Sequence, residues 1–111
     1  MSLFHDSLRA FATGVAVCCV AYAATALPSE TTASIDDHTF KPDILTVPVG
    51  TKVVWKNNDD TVHTVVALDG TFRSQALDTE DKFTFTFDRP GTFEYFCSLH
   101  PYMKAKVVVA P

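Results

Sequence analysis

Residues 34–111 predict an all-β sandwich or barrel, and three observations carry that reading. Short β-like runs recur, turn residues separate them, and no stretch sustains a helical period. The runs are Ser34–Phe40, Ile44–Val49, Lys52–Lys56, His63–Leu68, Lys82–Phe87, Thr92–Cys97 and Lys104–Val109. Between them lie Val49-Gly50-Thr51, Asn57-Asn58-Asp59-Asp60, Asp69-Gly70 and Arg89-Pro90-Gly91, all turn chemistry. Short strands at this spacing are the pattern of sandwiches and barrels.

The N-terminal part reads differently. Phe11 to Ala26 carries no charge, follows Arg9 and closes on Ala24-Thr25-Ala26. A basic start, an apolar core and a small-residue end describe a secretory signal peptide over residues 1–26. The rival is a retained membrane anchor, but a spanning helix needs about 20 apolar residues and this run is shorter. Cleavage after Ala26 places the product in the periplasm or otherwise outside the cytoplasm. Leu27–Ala33 reads as a flexible lead-in to a domain over 34–111.

Three cysteines are present. Cys18 and Cys19 leave with the signal peptide, so Cys97 stands alone, with no partner for an internal disulfide. In an exported protein an exposed thiol would oxidise; a bound metal is one way to keep it reduced. The formal charge of −4 argues against nucleic acid, which selects basic patches.

Within the domain the alternation is clearest at Phe83, Phe85 and Phe87, with Thr84 and Thr86 pointing the other way. Trp55, Phe93 and Tyr95 are further core candidates. Thr71–Asp81 reads as a loop with room for one helical turn.

The chemistry lies in Cys97-Ser98-Leu99-His100-Pro101-Tyr102-Met103, between a strand ending at Phe96 and one beginning at Lys104. Cys97, His100 and Met103 share one loop at three-residue steps, so a tight turn can aim all three at one point. His63, at a strand start, supplies a fourth donor. Two imidazoles and a thiolate in a plane, with a weak axial thioether, describe a blue-copper electron-transfer site. Structural zinc prefers sets made of Cys and His throughout, so Met103 counts for copper. Singly, a Met between strands is usually core, a His at a strand start is usually surface, and a lone Cys is usually a buried hydrophobe. The four in this order are far less probable by chance.

On these residues the chain resembles the cupredoxins, type 1 blue copper proteins. Among them the Cys-x-x-His-x-x-Met loop is most similar to that of amicyanins, and less so to plastocyanins and pseudoazurins. The likeness extends over Pro48-Val49-Gly50-Thr51, Trp55, Asn57 to His63, Pro90 to Tyr95 and His100-Pro101-Tyr102-Met103. It implies an eight-stranded Greek-key β-sandwich, one copper ion near one end, and metal ligands His63, Cys97, His100 and Met103. It also implies a monomer that passes single electrons between redox partners, of which a c-type cytochrome and an amine dehydrogenase are the amicyanin examples. Many relatives have Pro before the first His and Asn after it, the Asn tying the two ligand loops together near the cysteine sulfur. Val62 and Thr64 stand there, and Thr64 can still bond through its hydroxyl. His38 has no counterpart among the ligands and reads as a surface residue.

Three functions compete. An electron carrier would pass electrons at the exposed edge of His100, inside an apolar patch formed by Pro101 and Tyr102 with Pro48. A copper-handling module could use the same ligands, but no Met- or His-rich tract favours it. A multicopper oxidase needs histidines for a trinuclear cluster; after the signal peptide only His38, His63 and His100 remain, so no enzyme is expected.

Overall fold

A computed structural model of the chain describes residues 29–111. The expected signal peptide, and Leu27 and Pro28 of the lead-in, lie outside the described residues. Those described form eight strands: β1 (Glu30–Asp36), β2 (Thr39–Lys41), β3 (Ile44–Pro48), β4 (Lys52–Asn57), β5 (Val66–Ala67), β6 (Lys82–Thr86), β7 (Gly91–Phe96) and β8 (Lys104–Ala110). They build two four-stranded sheets, ordered β2-β1-β4-β6 and β3-β8-β7-β5. The all-β sandwich expectation is met.

Most expected strands agree with the observed ones to within a residue. The first does not. The run expected as Ser34–Phe40 is split by a turn at Asp37-His38, and its first arm begins at Glu30, inside the expected lead-in. The reason is non-local. Glu30 to Ile35 pair in parallel with Lys52 to Asn57 of β4, and a parallel partner so far along the chain leaves no local turn signal. The His63–Leu68 run shortens to Val66–Ala67, with His63 joined only to Leu77 by an isolated bridge. Thr71–Asp81 forms no helical turn; it runs back along the ligand segment through bridges at Arg73 and Leu77.

The core lies between the sheets. Trp55 is fully buried, and its ring packs against Phe72, Phe83, Phe87 and Tyr95. Phe93 and Tyr95 are buried as well. Of the alternating phenylalanines, Phe87 is buried, while Phe83 and Phe85 are partly buried against the core. Burying each such ring stabilises the fold by roughly 1.5–3 kcal/mol. The 71–81 segment also contributes Phe72 and Leu77 to this core, which no alternation in the sequence announced.

Strand direction decides where a site can form. β1 and β4 run in parallel and β6 opposes β4, so the chain after Asp36, after Asn57 and before Lys82 meets at one end. β7 ends and β8 begins at that same end of the second sheet, bridged by the Cys97–Met103 loop. At the far end Gly50, at φ 94°, makes the turn between β3 and β4.

Candidate metal centre

The expected ligands lie in segments that join strands: His63 between β4 and β5, and Cys97, His100 and Met103 between β7 and β8. Cys97 follows the last residue of β7, is fully buried, and forms no disulfide among the described residues. The loop after it is short because its backbone closes on itself. His100 N–H donates to Cys97 O (3.2 Å), Met103 N–H to His100 O (2.9 Å), and Cys97 N–H to Met103 O (3.1 Å). Those bonds fix the three-residue steps seen in the sequence. Met103 is buried at 3% exposure and belongs to the hydrophobic core. His63 is fully buried, clamped by backbone bonds both ways with Leu77.

The loops bring His63, Cys97 and His100 together, with one donor atom of each within 4.8 Å of the others. Cys97 Sγ lies 3.8 Å from His63 Nδ1 and 3.6 Å from His100 Nδ1. A thiolate sulfur about 2.3 Å and an imidazole nitrogen about 2.0 Å from a shared first-row ion, spread by 120°, stand ~3.7 Å apart. Both observed separations match that trigonal figure. The cluster is consistent with a single type 1 copper site.

Thr64 ties the two ligand loops together. Its backbone N–H donates to Cys97 Sγ at 3.4 Å, and its hydroxyl lies 3.8 Å from the same sulfur. The hydroxyl accepts from Ser98 N–H (2.8 Å) and bonds Ser98 Oγ (2.7 Å). The sulfur is therefore bonded from the His63 side by backbone and side chain of one residue.

Two residues that sequence reasoning did not assign to the site adjoin it. His38 is not a bystander on the surface. Its side chain is 40% exposed, yet its ring stands edge-on to both His63 and His100, each at 5.1 Å between centroids. Asp59, 11% exposed, accepts from His63 Nε2 at 2.8 Å. The signal for Asp59 was its place four residues before His63, hidden in a run that reads as an ordinary turn. Burial lowers the pKa of the half-buried His100, and repulsion from His63 and His38 adds to that.

The patch around His100 is partly as expected. Tyr102 is 68% and Leu99 52% exposed, and the Tyr102 ring flanks His100 at 6.1 Å. Pro48 is not in it. It pairs with Ala110 at the end of β8, the opposite end of the sandwich from the ligand loop.

The profile of the cupredoxin-like domain family matches residues 9–109. The chain belongs to that family. Among curated cupredoxins it is 31% identical to amicyanin of Paracoccus versutus over 70 residues, covering 59% of this chain and 53% of that one. It is 29% identical to amicyanin-alpha of Methylorubrum extorquens over 113 residues, covering 96% and 95%. The match thus spans about half of the first relative and nearly all of the second. Among solved structures, the copper-containing nitrite reductase of Thermus scotoductus SA-01 superposes with a TM-score of 0.69 at 33% identity, covering 77% of this chain and 23% of that one. That overlap is one domain's worth of a longer enzyme, so it speaks for a shared cupredoxin domain and not for the reductase's chemistry.

Proposed function

We propose that this cupredoxin is a type 1 copper electron carrier whose ligands are His63, Cys97, His100 and Met103. The observation that carries the reading is the Cys97 sulfur standing 3.8 and 3.6 Å from two imidazole nitrogens, the spacing of a trigonal S,N,N site. Copper bound there would supply a Cu(II)/Cu(I) couple able to take and release one electron.

The chain's own residues do the rest. Cys97 offers a thiolate shielded from solvent, and Thr64 N–H donates to it, which spreads its charge and fixes its direction. His63 and His100 present Nδ1 from two different loops. Met103, buried on the ligand loop, would supply a weak thioether donor to the copper. Because the ligands are anchored to a rigid sandwich, they need move little between oxidation states. His100 is the ligand nearest to solvent, flanked by exposed Tyr102 and Leu99, and is the electron's exit toward a redox protein. A c-type cytochrome and an amine dehydrogenase are the partner classes that the amicyanin likeness suggests. The leader over residues 1–26 directs the chain to the periplasm, where cleavage after Ala26 releases it as a monomer.

The test is optical. The purified protein with Cu(II) is expected to be intensely blue through sulfur-to-copper charge transfer, and Cys97→Ala to be colourless. A colourless wild type, or a blue Cys97→Ala, would overturn the assignment.

A further inference from the structure

Asp59 is tied into the site more heavily than a turn residue needs to be. Its Oδ2 accepts from His63 Nε2 (2.8 Å) and from His38 N–H (2.8 Å), and its Oδ1 from Asp37 N–H (2.6 Å). Its own backbone is held as well: N–H donates to Asn57 Oδ1 (2.9 Å), and its carbonyl accepts from the Thr79 hydroxyl (2.7 Å). Asn57 is fully buried and gives both amide protons to Thr61 O and Leu77 O, each at 2.9 Å. The segment from Asn57 to His63 is thus rigid before its carboxylate reaches out.

What the carboxylate holds is unusual. Asp37 and His38 form the two-residue loop of the β1–β2 hairpin, with φ of 54° and 53°. Two left-handed residues are the type I′ pattern, which favours Asn-Gly or Asp-Gly. A left-handed L-residue with a Cβ costs roughly 1–2 kcal/mol, less for Asp, Asn and His. The chain keeps His at the second position, where glycine would be free of that cost. The residue so placed puts its ring against both ligand imidazoles. Backbone strain beside a functional centre, held by a dedicated carboxylate, points to a role for the group it carries.

We propose that Asp59 is a positioning residue of the metal centre: its carboxylate holds His63 as the Nε2–H tautomer with Nδ1 turned to the Cys97 sulfur, and secures the turn that packs His38 against both ligand histidines. This rests on the copper reading above. An anion accepting the far N–H of a ligand imidazole makes the near nitrogen more electron-rich, as carboxylate partners of metal-bound histidines do. A negative charge in this largely buried place also favours the more highly charged metal ion. Asp59 therefore biases the centre toward Cu(II).

The experiment compares wild type, Asp59→Asn, His38→Gly and Asp88→Asn, all copper-loaded. Asp88 lies before β7 at the far end of the sandwich and controls for loss of one negative charge. Asp59→Asn is expected to shift the ratio of Cu(II) to Cu(I) affinity at least tenfold toward Cu(I), a rise in potential of ~59 mV for one electron. Asp88→Asn should shift it far less. His38→Gly suits the left-handed turn and should shift it less than Asp59→Asn does. In NMR of the wild-type Cu(I) protein, a slowly exchanging imidazole N–H should be assigned to His63 Nε2. An unchanged potential in Asp59→Asn overturns the proposal, as does an equal shift in Asp88→Asn or in His38→Gly. Should Asp59→Asn not fold, the wild-type spectrum decides: a His63 Nε2–H in fast exchange with water overturns the proposal. A wild type that is not blue with Cu(II) would sink the copper reading itself, a separate result seen first.

Discussion

The body and the ligand end of this cupredoxin are built on different physics. The body between the sheets is held chiefly by apolar packing, with aromatic rings gathered around Trp55. The ligand end holds its residues by directed bonds: Asn57 to two carbonyls, Asp59 to three donors, Thr64 to the sulfur and Ser98. Apolar burial tolerates small shifts, while a metal centre needs its donors fixed in direction as well as distance. Stability should therefore be concentrated in one region and spectroscopic signature in the other.

The strongest way to break that division is Trp55→Ala. The large cavity should cost about 3–5 kcal/mol in chemical denaturation. The copper spectrum of the molecules that remain folded should match wild type. A changed charge-transfer band in the folded variant would mean that body and site are not separable.

A smaller effect sharpens the site side. In the metal-free protein His100 has a lowered pKa, from burial first and then from its histidine neighbours. The unfolded chain, whose histidine titrates near ~6.5, then binds the proton more readily than the folded one. Stability present above that pH is lost as pH falls through the folded value. Urea unfolding of metal-free protein should show midpoints dropping below pH ~6.5, with a shallower drop in His100→Gln. Equal slopes in the two proteins would remove His100 from the account. Asp59 acts with the same sign at lower pH, below the ordinary 3.8 of its carboxyl.

The smallest change is expected from a polar atom inside the body. Among the described residues, Tyr95 Oη and Trp55 Nε1 are buried without a hydrogen-bond partner. Burial pushes the Tyr95 hydroxyl up to about 12, so it stays neutral. Tyr95→Phe removes an unpaired group while keeping the ring, and should change stability by less than ~1 kcal/mol in either direction. A loss of several kcal/mol by calorimetry would show that the hydroxyl has a partner after all, and that the body too relies on directed bonds.

How much was legible follows the same line. Phe83, Phe85 and Phe87 announced their strand because alternation is a local property of an extended chain. Cys97, His100 and Met103 announced a metal loop because their spacing is short and their donor types are rarely combined. Phe72 and Leu77 gave no such signal, since they enter the core from a segment without strand pattern. Glu30 looked like part of a lead-in because its partner is Lys52. Asp59 read as a turn and His38 as surface because their importance comes from bonds to residues far away in the chain.

From the sequence alone came the strand class, the turns and the donor set, since each depends on residues within a few positions of one another. Tertiary structure decided which ends meet. Parallel pairing of β1 with β4 carries the Asp37-His38 turn to the His63 end, and parallel pairing of β3 with β8 carries Pro48 away from it. Such pairings join distant stretches through backbone bonds that every residue type offers alike, so side-chain order does not encode them locally. The surroundings of His63, unlike His63 itself, exist only once the sheets have formed.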